Sequence, residues 1–209
     1  NLGSLLQSGD IFYASETARG DNADLSIRKG IEAAHAMGIK KIVITVSPDS
    51  ESAYRNALFH LKYAWTHAEI YDIKIVVETN LPPAGIRRLL EECKNKISLC
   101  MDTLNPFRFH SGSPINLIRS FHPGIDHYHL KDSISCLFRP DQRGCVLLGS
   151  GDADYPAVSE EIKKTGYTGW FFSENYYYLS PLNQNGDFLE YAKKDLCTLH
   201  TTFENAFGR

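Results

Sequence analysis

Four side chains of the kind that bind metal ions lie at or near the ends of separate apolar stretches. They are Glu78 after IVV, Asp102 after SLCM, His129 within HYHLKD, and Glu174 after WFFS. Parallel strands bring such residues together, because their carboxyl ends meet at one edge of the sheet. The pattern therefore predicts a single divalent-ion site built from four strand ends.

The ligand set also indicates which metal and which chemistry to expect. Three carboxylates and one imidazole form a hard, mostly oxygen set, which suits Mn²⁺, Mg²⁺ or Co²⁺ better than a closed tetrahedral zinc site. Paired glutamates on opposite walls of such a site can work on a carbon beside a carbonyl. One carboxylate removes a proton to form an enediolate, and the other returns a proton.

The stretch HYHLKD has a polar and cationic face. Because side chains alternate along a strand, His127, His129 and Lys131 point one way, and Tyr128 and Leu130 point the other. An edge strand with a solvated face would explain this pattern. Apolar, helix-flanked strands precede and follow it, however, and this context favours a functional face.

Strand-like and helix-like segments alternate along the chain. Strands are predicted at Ile11–Ser15, Lys41–Val46, Lys74–Glu78, Ile97–Asp102, His127–Lys131 and Trp170–Glu174. Helices are predicted from Asp21–Asp24 to Met37, from Asp49 or Ser50 past Ala68, after Pro82, and at Pro114–Phe121, Tyr155–Lys164 and Phe188–Phe207. The alternation predicts a parallel sheet, and with the strand-end ligands it predicts one α/β TIM-type barrel domain over residues 1–209. Six strands are found where such a barrel has eight, so the first one or two βα units are expected to be missing.

Composition narrows the range of partners. The 209 residues are 43% hydrophobic and 22% charged, which is typical of a soluble globular protein. The net charge of −3 provides no basic surface for nucleic acid, and no apolar run approaches the ~18 residues of a membrane span. The five cysteines are odd in number and lack CxxC spacing, which favours a reduced cytoplasmic protein with buried thiols. Nucleic-acid and membrane partners are therefore not expected, and a homo-oligomer is left open.

Several strings resemble a known family in order and spacing. VVETN, LCMDTLN, HYHLKDS, LLGSGDADYPAV and GYTGWFFSEN are similar to the sugar phosphate isomerase/epimerase group of xylose-isomerase-like TIM barrels, over residues 31–178. The resemblance implies an enzyme that isomerises or epimerises a keto-sugar or related polyol. It also implies that the four strand-end residues bind one divalent ion, with manganese expected first and Mg²⁺, Co²⁺ or Zn²⁺ as alternatives. Glu78 and Glu174 are then also the catalytic pair that moves protons.

Three further residues are expected to contact the substrate. Many family members have histidine three residues after the strand-end aspartate, where this chain has Asn105, a change expected to tune specificity. Lys131 is predicted either to neutralise the carboxylates or to contact a sugar oxygen. Arg143 lies in a glycine-bearing loop from which it would reach a substrate hydroxyl or carboxylate.

Three other functions are consistent with parts of the same pattern. Endonuclease IV-type DNA repair enzymes resemble the same strings, but they need three zinc ions and histidines where this chain has Asn105 and Arg143. The acidic net charge disfavours DNA binding as well. A metal-dependent dehydratase of a keto-inositol-type substrate stays open, because enolate formation is the shared first step. A non-catalytic barrel relative or partner subunit is suggested by the missing N-terminal units, whereas the four intact ligands argue against it.

Overall fold

The computed structural model describes residues 20–134, 144–184 and 186–204, in which parallel strands alternate with helices. The strands are β1 (Lys41–Val46), β2 (Lys74–Thr79), β3 (Ile97–Asp102), β4 (Ile125–Leu130), β5 (Asp132–Ser133), β6 (Cys145–Val146) and β7 (Trp170–Ser173). The helices are α1 (Gly20–Ala36), α2 (Glu51–Glu69), α3 (Pro83–Glu92), α4 (Asn105–Arg108), α5 (Pro114–Phe121), α6 (Tyr155–Lys164) and α7 (Phe188–Thr202). Five strands form a parallel sheet in the order β1-β2-β3-β4-β7, and β5 pairs antiparallel with β6.

The predicted α/β alternation is confirmed, with small shifts at the ends of elements. Strands β1 and β3 have the predicted bounds, β2 continues one residue past Glu78, and β7 ends directly before Glu174. The sequence did not predict α4, β5 and β6, because elements of two to four residues are too short to show a periodic pattern. The predicted strand Ile11–Ser15 lies outside the described residues.

The chain folds as two compact units that divide between Cys100 and Met101, within β3. Unit 1 is the part up to Cys100, and unit 2 is the part from Met101 onward. A single domain over the whole chain stays a prediction. No helix in the described part of the chain combines the length and apolarity needed to cross a membrane.

The strands of unit 1 are buried on both faces, as expected for parallel strands. On one face, side chains such as Ile75 and Val77 pack in the core together with residues of α1 and α2. On the other face, Val43, Val76 and Cys100 form a small separate cluster. Because side chains alternate along a strand, Glu78 shares this second face with Val76.

Unit 2 is held together by helix and strand packing around β4 and β7. The two strands are parallel, with His129 beside Phe172 in the register. Helix α7 contacts β7, and α5 packs on α6 through a bidentate Arg119–Glu161 pair with distances of 2.7 and 2.8 Å. Cys197 on α7 is exposed, so the expectation of buried thiols is wrong there, because this position lies on the outer face of the helix.

A charged cluster joins α2 to α3 in unit 1. Two guanidinium nitrogens of Arg88 donate to Glu51 at 2.6 and 2.7 Å, and its Nε donates to Glu92 at 2.8 Å. The same guanidinium lies 4.0 Å from the centre of the Tyr54 ring. The hydrogen bonds from Arg88 lower the pKa of Glu51 to about 2.

This lowered pKa gives a pH-dependent prediction for Glu51→Gln. The ionised carboxylate stabilises the fold above its ordinary pKa of about 4.5, and this contribution disappears as the pH falls towards about 2. The variant should therefore have a lower Tm than the wild type at pH 7, and the difference should shrink below pH 4.5. Thermal unfolding followed by circular dichroism across this pH range measures it. Glu91→Gln on the exposed face of α3 is the control, and a Tm difference independent of pH would contradict the prediction.

Candidate metal centre

Strand β4 brings the polar face of HYHLKD into the interior. His127, His129 and Lys131 are at most 5% exposed, and Tyr128 and Leu130 are fully buried on the opposite face. The strand lies between β3 and β7 in the sheet, so the alternative of a solvated edge strand is wrong. Polar side chains buried at this depth require partners. His129 and Lys131 find them at the neighbouring strand ends, whereas His127 Nδ1 lies 3.1 Å from Asp126 Oδ1 of the same strand.

Asp102, the last residue of β3, has two differently engaged oxygens. Its Oδ1 accepts hydrogen bonds from the backbone N–H groups of Leu104 and Asn105, at 2.8 and 2.7 Å, where the chain turns into α4. Its Oδ2 lies 2.7 Å from Nζ of Lys131. One oxygen therefore fixes the turn and the side-chain orientation, while the other faces the buried polar cluster.

Glu174 lies directly after β7 and contacts two side chains from the end of β4. Its Oε2 is 2.9 Å from Nδ1 of His129 and 2.8 Å from Nζ of Lys131. Its backbone N–H donates to the Leu130 carbonyl at 3.1 Å, which continues the contact between β7 and β4 beyond the last strand residue. One ligand atom each from Asp102, His129 and Glu174 lies within 4.8 Å of the other two. Unit 2 thus brings three of the four predicted metal ligands together.

The electrostatics of this cluster keep Glu174 ionised. Burial disfavours the charged form, but the hydrogen bond from His129 and the charge of Lys131 outweigh that effect. Together they hold the pKa of Glu174 well below its usual range. A carboxylate in this ionised form carries the negative charge that attracts a cation.

Glu78, the fourth predicted ligand, belongs to unit 1. It is 5% exposed and lies one residue before the end of β2, where the register places it beside Cys100 of β3. A carboxylate buried at a strand end is unusual in a face otherwise lined by Val43, Val76 and Cys100.

The three predicted substrate contacts have different outcomes. Asn105 is the first residue of α4, at the turn that Asp102 fixes. Nζ of Lys131 lies between the carboxylates of Asp102 and Glu174 and 5.3 Å from the centre of the Tyr176 ring. It therefore neutralises the carboxylate pair, and a contact with substrate stays a prediction. Arg143 lies outside the described residues.

The donor set in unit 2 fits a divalent cation. Asp102 and Glu174 supply two hard carboxylates, and His129 supplies an imidazole. All three side chains are buried or mostly buried. Carboxylates suit manganese and magnesium, and an imidazole beside them favours a transition metal, whereas a structural zinc site usually has cysteine thiolates among its ligands.

The sequence assigned no role to three residues that surround this cluster. Asp132, Asn175 and Asp195 are all buried and joined by hydrogen bonds behind Glu174. One signal for Asp195 was present in the sequence. Asp195 and Leu199, four positions apart, are the buried residues of α7, and an acidic residue is unusual on the buried face of a helix.

Comparisons with known proteins support the predicted barrel. The family described as xylose isomerase-like TIM barrel matches residues 8–193. The rhizopine catabolism protein MocC of Rhizobium meliloti is 26% identical over 137 residues, which are 60% of this chain and 40% of that protein. The chain thus matches less than half the length of that relative.

Solved structures show the same fold. D-allulose 3-epimerase from Methylomonas sp., in complex with D-allulose, has a TM-score of 0.72 at 17% identity, with 96% of this chain and 75% of that chain covered. Mannonate dehydratase from Streptococcus suis serotype 2 has a TM-score of 0.69 at 12% identity, with 94% and 73% covered. The predicted TIM-type fold and the family resemblance are both confirmed, because the family match covers most of the chain. This chain belongs to the xylose isomerase-like TIM barrel family.

Proposed function

We propose that this chain is a divalent-metal-dependent isomerase or epimerase that acts on a keto-sugar or related polyol. The observation that carries the proposal is the buried set of Glu174, His129 and Asp102, whose ligand atoms lie within 4.8 Å of one another. Such a set can hold a cation, and a carboxylate beside it can take a proton from a carbon next to a carbonyl.

Glu78 is proposed as the fourth ligand on the basis of strand geometry. Its partner in the register is Cys100, and Asp102 lies two residues further along the same strand. Residues two apart on a strand point to the same face, so Asp102 and Cys100 project from one side of β3. The side chain of Glu78 emerges on that side too, since Val76 and Cys100 share one cluster.

The proposed chemistry divides the four residues into two roles. When bound, a divalent ion, manganese by preference and Mg²⁺, Co²⁺ or Zn²⁺ otherwise, supplies Lewis-acid polarisation of a carbonyl. Asp102 and His129 act as ligands only, whereas Glu78 and Glu174 also move protons. One of the two glutamates takes the proton from the carbon beside the carbonyl, which leaves the substrate as an enediolate. The other glutamate, starting protonated, gives a proton to the opposite face of that carbon or to its neighbour.

The substrate contacts and surroundings are part of the same proposal. Asn105 and Lys131 are proposed to hold hydroxyl oxygens of the substrate, because both lie beside Asp102. Arg143 is proposed as a further contact. A cytoplasmic location stays a prediction, as does any self-association.

A dehydratase remains the second candidate. Dehydration also begins with proton removal beside a carbonyl, and the fold of this chain is shared with a mannonate dehydratase as well as with a D-allulose epimerase. Since the fold is common to both reactions, the products have to distinguish them.

Metal content is the first prediction of the proposed function. Protein expressed from the complete gene should contain about one manganese, cobalt or magnesium ion per chain. Glu78→Gln should lose most of that metal, because an amide oxygen is a far weaker ligand than a carboxylate. Elemental analysis by mass spectrometry, with the protein concentration from amino-acid analysis, measures the ratio.

The exposed Glu91→Gln substitution on α3 is the matched control and should retain the metal. Two or three zinc ions per chain would instead favour a DNA-repair type of site. Absence of metal after supplementation with MnCl₂ would overturn the proposed function.

Solvent exchange at carbon is the second prediction. In D₂O with MnCl₂, the protein should exchange the proton beside the carbonyl of at least one keto-hexose from a panel containing D-allulose and D-fructose. Glu174→Gln should lower this exchange by roughly a hundredfold or more, because an amide cannot act as a base. Proton NMR follows both the exchange and the products.

The products separate the two candidate reactions. A deuterated sugar with its carbon skeleton and oxygens intact supports the isomerase or epimerase, whereas a product that has lost water supports the dehydratase. Exchange at the wild-type rate in Glu174→Gln, with circular dichroism unchanged, would show that the proposed catalytic pair is wrong.

A further inference from the structure

Helix α7 carries a completely buried carboxylate, Asp195, that is satisfied by four hydrogen bonds. Its Oδ1 accepts from the Leu148 backbone N–H at 2.9 Å. Its Oδ2 accepts from Asn175 Nδ2 at 2.6 Å, Tyr177 OH at 2.7 Å and Ser173 Oγ at 3.1 Å. Burial of an acid at this depth is costly, so this position would ordinarily be apolar unless the carboxylate has a role.

Two of these donors lie on either side of Glu174 in the sequence. Ser173 precedes it and Asn175 follows it, and both side chains bind the same oxygen of Asp195. Because side chains alternate along an extended chain, Ser173 and Asn175 point towards α7, and Glu174 points away from it. Asp195 thus holds both neighbours of Glu174 from behind.

Asn175 continues this link to the end of β4. While its Nδ2 donates to Asp195, its Oδ1 accepts from the Asp132 backbone N–H at 3.2 Å. Asp132 follows Lys131 directly, and its own carboxylate accepts the N–H groups of Gly149 and Gly151 at 2.9 Å each. A continuous set of hydrogen bonds therefore joins α7, the residues around Glu174, and Asp132 of β5, which lies two residues beyond the end of β4, the strand that carries His129.

We propose that Asp195, acting through Asn175 and Ser173, is a positioning residue for Glu174. The inference rests on the proposed function, in which Glu174 binds the metal and moves a proton. Glu174 lies beyond the last residue of β7, where its N–H still donates to the Leu130 carbonyl but the regular strand has ended. Outer contacts of this kind orient metal ligands and typically contribute a factor of about 10 to 100 in metal affinity or activity.

The test compares four variants of the full chain. Asp195→Asn removes one acceptor and places an amide against the amide of Asn175. Asn175→Asp alone places two carboxylates in contact. The double variant Asp195→Asn/Asn175→Asp restores one amide and one carboxylate with their places exchanged. It also leaves a carboxylate oxygen to accept from Asp132. Asp187→Asn, at the exposed N-terminal cap of the same helix, is the matched control.

The first readout is Mn²⁺ affinity, measured by titration with MnCl₂ and detection of free Mn²⁺ by electron paramagnetic resonance. Asp195→Asn should bind Mn²⁺ about 10 to 100 times more weakly than the wild type. The double variant should recover most of this loss. Asp187→Asn keeps an oxygen that can accept from the Leu189 N–H, so it should leave both the Tm and the affinity close to the wild-type values.

The second readout needs no metal. In the metal-free protein, the ¹⁵N chemical shift of His129 Nδ1 reports the 2.9 Å contact with Glu174 Oε2. This shift should change in Asp195→Asn and return towards the wild-type value in the double variant. The change is expected because a displaced Glu174 no longer meets the imidazole at hydrogen-bond distance.

The outcomes separate the positioning role from the proposed function. A lower Tm in Asp195→Asn, with Mn²⁺ affinity and the His129 shift both at wild-type values, would leave Asp195 a purely structural role and overturn the inference. If the wild type binds no Mn²⁺, the proposed function fails. The His129 shift then decides by itself whether Asp195 positions Glu174.

Discussion

Carboxylates removed from water determine how unit 2 is built. Asp102, Asp132, Glu174 and Asp195 are all buried or mostly buried, and each needs donors to offset the lost hydration. The donors differ in kind. Those of Asp132 and Asp195 are backbone N–H groups and neutral side chains, whereas Glu174 and one oxygen of Asp102 meet the side chain of Lys131. The first two carboxylates therefore serve the framework, and the other two form the candidate site.

The buried carboxylate of Asp132 explains why a glycine-containing loop packs against the residues that follow β4. The N–H groups of Gly149, Gly151 and Ala153 all donate to the carboxylate of Asp132. A Cβ atom at Gly151 would collide with that carboxylate and with the Ser133 carbonyl, so the close approach requires a residue without a side chain. The string LGSGDA thus surrounds a buried charge, and no phosphate-binding role is needed to account for its glycines.

The strand ends were predictable from the sequence because two local signals coincide there. A run of apolar residues marks a strand buried on both faces, and a carboxylate or imidazole at its end interrupts that run. Both signals lie within six residues, and together they place Glu78, Asp102 and Glu174 at or next to strand ends. Cys197 was misplaced because its predicted burial rested on the general tendency of free cysteines to lie in the core, which does not depend on the helix face that this one occupies.

The hydrogen bonds of Asp195 could not be predicted from the sequence, because they join residues that are far apart along the chain. Asp195 meets Asn175 and Leu148, which are 20 and 47 residues away in the sequence, and no local pattern encodes such contacts. The helix looks amphipathic with or without this acid. Only the fold shows that Asp195 lies on the buried face, together with Leu199.

The two carboxylates of the candidate site in unit 2, Asp102 and Glu174, are held in ways that match the different roles proposed for them. Asp102 has one oxygen committed to two backbone N–H groups of a turn, which leaves Oδ2 to face the cluster in a fixed direction. Glu174 has the longer side chain, and its Oε2 meets the side chains of His129 and Lys131. A group that only binds a cation benefits from being fixed, whereas a group that also carries a proton must be able to turn towards its substrate. The hydrogen bonds of Ser173 and Asn175 to Asp195 fix the chain on either side of Glu174, whereas the Glu174 carboxylate contacts side chains. Glu174 can therefore be placed accurately and still turn towards a substrate.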